Sequence, residues 1–287
     1  MLNSALEPIV VVGATGMLGR AFQALLAREG LAFRAVDVPE LDLTNAESVT
    51  RSVPDGVRTV INCAAFTDVD GAEEREDVAR AINGDGVALL ARRCRDVGAT
   101  LVHYSTDYVF EGHAERPYTV DHPRAPLNAY GRSKAAGEQA VEQSGCRHLL
   151  IRTSWLYAPW GKNFVLTIRQ LARTRDSLAV VSDQVGRPTS AEYLAERSLA
   201  LLRAGGTGAF HVTDGGQCSW FELARAIAQL SGASCHVEPC TTADFPRPAP
   251  RPAYSVLDLS RTEGLIGLSR PWQDNLADVL RAVERQG

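Results

Sequence analysis

From Pro8 to Val12 the chain runs apolar and β-branched without a break and stops at Gly13, the pattern of a strand buried on both faces of a parallel sheet. Leu18, Phe22, Leu25 and Leu26 then recur at helical spacing between Met17 and Arg28, and Phe33 to Val38 returns to a strand pattern. The same order repeats. Thr44 to Arg51 predicts a helix opened by a capping box between Thr44 and Glu47, Arg58 to Asn62 a third strand, and Val78 to Val97 a long helix. Thr100 to Tyr104 and His148 to Arg152 read as two more strands, with a helix from Tyr130 to Glu142 between them. Strict alternation of strand and helix predicts a doubly wound α/β fold with a parallel sheet.

Past Trp155 the spacing loosens. Helices are expected at Asn163 to Arg173, Ala191 to Arg203 and Trp272 to Val283, and short strands at Leu178 to Val181 and Ala209 to Val212. This predicts a smaller α/β lobe over residues 159–287, following a domain over 1–158, with an interleaved boundary. The proline-rich stretch Phe245 to Pro252 lies inside that lobe, and we read it as an ordered loop placed to contact a substrate.

Composition narrows the class. With 45% hydrophobic and 22% charged residues the chain is neither disordered nor low in complexity, and a net charge of −4 offers no field to draw nucleic acid or an anionic membrane. A small-molecule partner is expected. The six cysteines form no C-x-x-C pair, which predicts reduced thiols and neither a metal site nor a disulfide framework. Met1 to Pro8 lacks a basic leader pattern and no apolar run is long enough to span a bilayer, so a cytoplasmic location is expected. Lys134 and Lys162 are the two lysines, and the other 28 of the 30 basic residues are arginines, which singles both out.

Candidate chemistry starts at Gly13-Ala14-Thr15-Gly16-Met17-Leu18-Gly19, a G-x-x-G-x-x-G set between a buried strand and an amphipathic helix. Gly13 permits the sharp turn, Gly16 lets a pyrophosphate approach the backbone, and Gly19 allows close packing of helix on sheet, the Rossmann dinucleotide fingerprint. Asp37 ends the second strand eighteen residues after Gly19, where an acid accepts hydrogen bonds from the adenosine ribose and favours NADH. Arg34 stands three residues earlier and offers charge for a 2′-phosphate, which keeps NADPH open.

In Tyr130-Gly131-Arg132-Ser133-Lys134 a phenol and an ammonium fall four residues apart on one helix face. An ammonium beside a phenol favours the phenolate and brings its pKa toward the working range of an acid–base group. Thr106 lies at the carboxyl end of the fourth strand, where open α/β sheets hold their ligands, and can hydrogen-bond a substrate carbonyl.

These motifs, with Asn62 to Thr67, His103 to Phe110, Arg152-Thr153-Ser154-Trp155, Asp183 to Thr189 and Arg251-Pro252, resemble the extended short-chain dehydrogenase/reductase family, in its branch acting on dTDP-linked ketosugars. The resemblance spans essentially the whole chain. It implies hydride transfer from NADPH or NADH to the C4 carbonyl of a dTDP-linked 4-keto-6-deoxyhexose, dTDP-4-dehydro-L-rhamnose, giving dTDP-L-rhamnose. Tyr130 would deliver the proton, with Thr106 and Lys134 completing the catalytic set. By the same resemblance Gly13, Thr15, Gly16, Met17, Leu18, Gly19, Asp37, Asp42 and Leu43 would hold the adenosine half of the cofactor. Ala64, Ala65, Phe66, Thr67 and Tyr104, with Tyr130 and Lys134, would lie along the rest. Val69, Thr106, Asp107, Tyr108 and Trp155 would contact the sugar, and Arg187 suits the substrate pyrophosphate by its charge. Some members dimerise around Mg²⁺ through a glutamate on the first helix; the matching place here is Ala21, preceded by Arg20, which argues against that metal and that dimer and leaves a monomer or another homodimer. Cys63 stands where the family usually has alanine. Two other readings share these motifs: a reductase of another nucleotide-linked ketosugar, and a non-catalytic dinucleotide-binding regulator.

Overall fold

The computed structural model describes residues 6–286; residues 1–5, part of the stretch without a leader pattern, and Gly287 lie outside it. Six parallel strands form the central sheet, in the edge-to-edge order Gly208–His211, His148–Thr153, Thr100–Thr106, Thr59–Asn62, Ile9–Val12 and Phe33–Val36. The expected doubly wound architecture is present. Ile9–Val12 pairs with Phe33–Val36 on one side and Thr59–Asn62 on the other, so the strand order reverses beside it and a crevice opens at its carboxyl end.

Alternation within the strands explains the two-sided burial. Ile9 and Val11 face a core built with Phe22, Leu25, Leu26, Leu194 and Leu199, whereas Val10 and Val12 face Val49, Val60, Leu90 and Ala91. Fully burying each such side chain contributes about 1.5–3 kcal/mol. Helix Met17–Arg28 packs on helix Ala191–Arg203, so the second half of the chain covers one face of the sheet. A separate core of Ile168, Leu223, Ile227, Leu276 and Trp272 lies under the two-stranded pairing of Ser177–Val181 with His236–Cys240.

Several elements differ from expectation. Helix Ala46–Ser52 is capped by Asn45, whose side chain accepts from the Ser48 N–H at 2.9 Å, and there is no capping box at Thr44. The Thr44 hydroxyl instead donates to Asp42 Oδ1 at 2.7 Å, a local turn that competes with the cap. The second strand stops at Val36, since the Val38 N–H donates to the Asp37 side chain at 2.8 Å and proline follows. In place of one helix over Val78 to Val97 there are Glu76–Arg80, a π-helical turn Ala81–Gly86, and Val87–Val97. That wide turn carries Asn83, whose amide bonds both Phe66 N–H and Phe66 C=O, at 2.8 and 2.9 Å, and the Ser133 hydroxyl at 2.9 Å.

Helices Val69–Glu74 and Trp220–Leu230 were not among the expected elements, although the latter opens with a capping box, Ser219 with Glu222. The Phe245 to Pro252 loop is ordered by Asp70, which accepts from Arg247 at 2.6 Å and pairs with Arg251 at 3.0 Å. All six cysteines are free thiols. Among the described residues no helix is long and apolar enough to cross a membrane.

Candidate active site

The crevice at the strand reversal is a cleft of about 680 Å³. Its floor begins at Gly13, whose φ of +75° and absent side chain are both needed: a Cβ there would stand 2.5 Å from the Ala64 nitrogen. Gly19 is equally constrained, because a Cβ would meet the Gly13 carbonyl at 2.2 Å, so the first helix turn lies directly on the loop. Gly16 differs. A Cβ there would touch only the Gly13 oxygen, at 3.4 Å, and its backbone faces the cleft at the N-terminus of helix Met17–Arg28. This bare, donor-rich turn fits the pyrophosphate of a dinucleotide.

Asp37 stands over the loop and binds it: the Thr15 N–H and hydroxyl both donate to Oδ2, at 2.8 and 2.6 Å. Burial favours protonation of Asp37, but these bonds and that from Val38 outweigh it and hold the carboxyl below its ordinary pKa. The anion is therefore fixed beside the glycine turn. Arg34, whose charge keeps NADPH open in the sequence, is paired with Glu40 and does not line the cleft.

At the other end Thr106, Tyr130 and Lys134 converge. Strand Thr100–Thr106 delivers Thr106, and helix Ala129–Gln143, capped by Asn128 onto the Gly131 N–H at 2.8 Å, delivers the other two. The helix sits close to the strand end because Gly131 has no side chain; a Cβ would stand 2.2 Å from the Tyr108 carbonyl. Lys134 is 3% exposed and donates to the Tyr104 carbonyl at 2.6 Å. Burial lowers its pKa to about 8, Glu138 acting against the fall.

The Tyr130 phenol departs from expectation. Burial, and after it the charge of Asp107, push its pKa above the ordinary value, while hydrogen bonding with Thr106 works the other way. The lysine does not bring it down in this arrangement, and the phenol stays protonated. Asp107 is itself buried and its pKa raised to about 6, with hydrogen bonds from Ser255 and Thr106 limiting the rise. Tyr108 packs edge-on against Tyr130, ring centroids 5.9 Å apart.

Of the residues singled out in the sequence, Gly13, Thr15, Gly16, Met17, Leu18, Asp37, Asp42, Leu43, Ala64, Ala65, Thr67, Tyr104, Thr106, Tyr130, Lys134 and Trp155 line this one cleft. Gly19, Phe66, Val69, Asp107, Tyr108 and Arg187 do not. Gly19 and Phe66 act behind the wall, and Arg187 donates to the Gly216 carbonyl at 2.7 Å. The Tyr104 hydroxyl is likewise engaged, donating to Ser198 at 2.8 Å. Ser105, Thr153, Ser154 and Lys162 line the cleft without having been assigned a role in it. The first three sit at or just beyond strand ends, a signal that was available; Lys162 arrives on a distant loop. Ala21 is buried in the core and Arg20 lies over the Trp160 ring, 4.8 Å from its centroid. Among the described residues no group of three or more metal-ligating side chains converges.

A family model described as the RmlD substrate binding domain matches residues 7–285. The chain belongs to the RmlD family. In keeping with RmlD membership, the dTDP-4-dehydrorhamnose reductase of Mycobacterium tuberculosis is 45% identical over 285 residues, 96% of this chain and 93% of that protein. The crystal structure of a dTDP-4-dehydrorhamnose reductase from Clostridium acetobutylicum superposes with a TM-score of 0.93 at 41% identity, covering 96% of this chain and 99% of the other. That of the Bacillus anthracis enzyme in complex with NADP gives 0.90 at 36% identity, over 96% and 98%. The RmlD assignment therefore covers nearly the whole chain, and it agrees with the resemblance read from the motifs.

Proposed function

We propose that the protein reduces the C4 keto group of dTDP-4-dehydro-L-rhamnose to dTDP-L-rhamnose with NADPH as hydride donor. The observation that carries this reading is the convergence of Thr106, Tyr130 and Lys134 on the cleft that also holds the glycine turn and Asp37. The relatives named above carry the same activity in their names, and one of them was crystallised with NADP.

The reduced nicotinamide supplies the hydride. The chain's own residues do the rest. The glycine turn from Gly13 to Leu18 takes the pyrophosphate, Gly19 holding its packing, and Asp37, Asp42 and Leu43 border the adenosine. Ala64, Ala65 and Thr67 with Tyr104 carry the cofactor toward Lys134, and Asn83 holds Phe66 behind that wall. The sugar lies between Tyr130 and Trp155, with Thr106 within reach of its carbonyl. Val69, Asp107, Tyr108 and Arg187 support that pocket from outside the cleft wall.

Because burial and Asp107 keep the Tyr130 phenol protonated, it enters the reaction as an acid and gives its proton to the alkoxide as negative charge develops on oxygen. The Lys134 ammonium lies in the same dry corner and stabilises that charge and the phenolate left behind. The Thr106 hydroxyl donates to Asp107 at 2.9 Å, which fixes it beside the phenol, where its interaction opposes the rise in the Tyr130 pKa.

The test is reduced-nicotinamide oxidation with dTDP-4-dehydro-L-rhamnose generated in situ, with the product identified by NMR. Formation of dTDP-L-rhamnose is expected. Dinucleotide binding without turnover of this sugar would overturn the reading in favour of another nucleotide-linked ketosugar or a non-catalytic role.

A further inference from the structure

The chain has two lysines and 28 arginines, yet both lysines line the cleft and no arginine does. Lys134 is committed to the catalytic corner through the Tyr104 carbonyl. Lys162 is exposed, and among the described residues no carboxylate or carbonyl engages it. Its loop is not a loose surface excursion. The Trp160 indole N–H donates to the Met17 carbonyl at 3.2 Å, and the Asn163 amide reaches the Met17 sulfur at 3.7 Å. Gly161 is pressed so closely to Met17 that a Cβ would stand 3.0 Å from its Cγ. Asn163 also caps the next helix through the Leu166 N–H at 3.1 Å, which fixes the loop from behind.

The loop is therefore seated on the first turn of the helix that follows the glycine turn. That turn carries no acidic side chain, while Asp37 and Asp42 put negative charge elsewhere along the cleft. A dinucleotide bound as proposed above brings a doubly charged pyrophosphate to this turn, against those two acids. We infer that Lys162 closes over the cofactor pyrophosphate from the second lobe, a charge contact added to the backbone donors of the turn. The inference rests on the dinucleotide reading. It assigns Lys162 to the pyrophosphate and not to a 2′-phosphate, because the contacts of its loop are with Met17 and Arg20 on the helix.

Equilibrium titration of NADH, NADPH and dTDP against wild type, Lys162→Ala and Lys162→Arg tests this directly. We expect Lys162→Ala to weaken NADH and NADPH by the same factor, about tenfold, as for loss of a charge-assisted contact, with dTDP binding unchanged. Lys162→Arg restores most of the affinity, and added salt narrows the gap between wild type and Lys162→Ala. Loss confined to NADPH assigns the lysine to the 2′-phosphate and overturns the inference. Loss confined to dTDP assigns it to the substrate diphosphate and overturns it too, as does no change in any titration. Wild type binding neither dinucleotide would instead bring down the reading on which the inference rests.

Discussion

Trp155 and Trp220 lie face to face, with ring centroids 3.6 Å apart and planes within 13° of parallel. Trp155 lines the cleft, and Trp220 also meets Phe164, with ring centroids 4.5 Å apart. The Trp155 backbone has a φ of +47°, a conformation bulky residues adopt only when their surroundings impose it. Gly186 makes room for it, since a Cβ there would stand 2.7 Å from two indole carbons. Gly186→Ala should therefore push the indole out of the stack and lower kcat/KM roughly tenfold or more, by misplacing one wall of the sugar pocket. The coupled tryptophan signal in circular dichroism should weaken in parallel; an intact signal with normal kcat/KM would refute the arrangement.

Tyr130→Phe removes the proton donor and leaves the ring. Turnover should fall by roughly 10²–10⁴-fold while NADPH affinity stays within about twofold, measured by steady-state kinetics beside a binding titration. Near-normal kcat would remove Tyr130 from the chemistry.

The alkaline limb of the pH profile should belong to Lys134 and not to Tyr130. Burial lowers the lysine pKa to about 8, so its charge is present below that pH and lost above it, whereas the phenol is pushed upward. kcat/KM should fall as pH rises through about 8. A profile flat beyond that point would show that the ammonium charge is not required.

In the proposed cofactor placement Asp37, an anion held by Thr15, would accept a ribose 2′-hydroxyl and weaken, without preventing, binding of a 2′-phosphate. Asp37→Ala should raise the ratio of kcat/KM for NADPH over NADH about tenfold or more, the size of a charge-assisted hydrogen bond exchanged for relief of repulsion. An unchanged ratio would mean that Asp37 serves only to brace the loop.

Asp214 is a buried carboxyl remote from this chemistry, accepting from Tyr157 at 3.0 Å and Asn275 at 2.8 Å. Burial raises its pKa from 3.8 to about 7, those bonds limiting the rise. Its stabilising contribution is complete below the unfolded value and is lost as pH rises through the folded one. The Tm of Asp214→Asn, measured against wild type, should therefore improve between about pH 5 and about pH 8.5. A difference that stays constant or shrinks would contradict the assigned burial.

The features legible in the sequence are those whose signal is local. Gly13, Gly16 and Gly19 fall between a buried strand and an amphipathic helix, and Tyr130 and Lys134 share one helix face, so spacing alone brought them forward. Lys162 stands out in the sequence by its rarity, but its place depends on contacts of its neighbours Trp160 and Asn163 with Met17, 143 and 146 positions away, which no periodicity records. Thr44 carries the capping pattern but not the cap, because its hydroxyl turns back to donate to Asp42 and the Asn45 side chain takes the Ser48 N–H instead. The π-helical turn at Ala81–Gly86 preserves enough apolar recurrence on both sides to pass for one helix. For Tyr130, spacing reveals the lysine but not the burial and the Asp107 charge that raise the phenol's pKa.

Gly208–His211, the edge strand of the main sheet, pairs with Leu149 to Arg152, some sixty residues earlier in the chain. The ribosome thus releases the glycine turn, Tyr130 and Lys134 well before the strand that closes their sheet. Until His211 emerges, the nascent sheet presents the unpaired backbone of a central strand, the kind of edge that recruits other chains. The sheet that carries the cleft is thus complete only once this late segment has been made, although the segment holds none of the proposed catalytic residues.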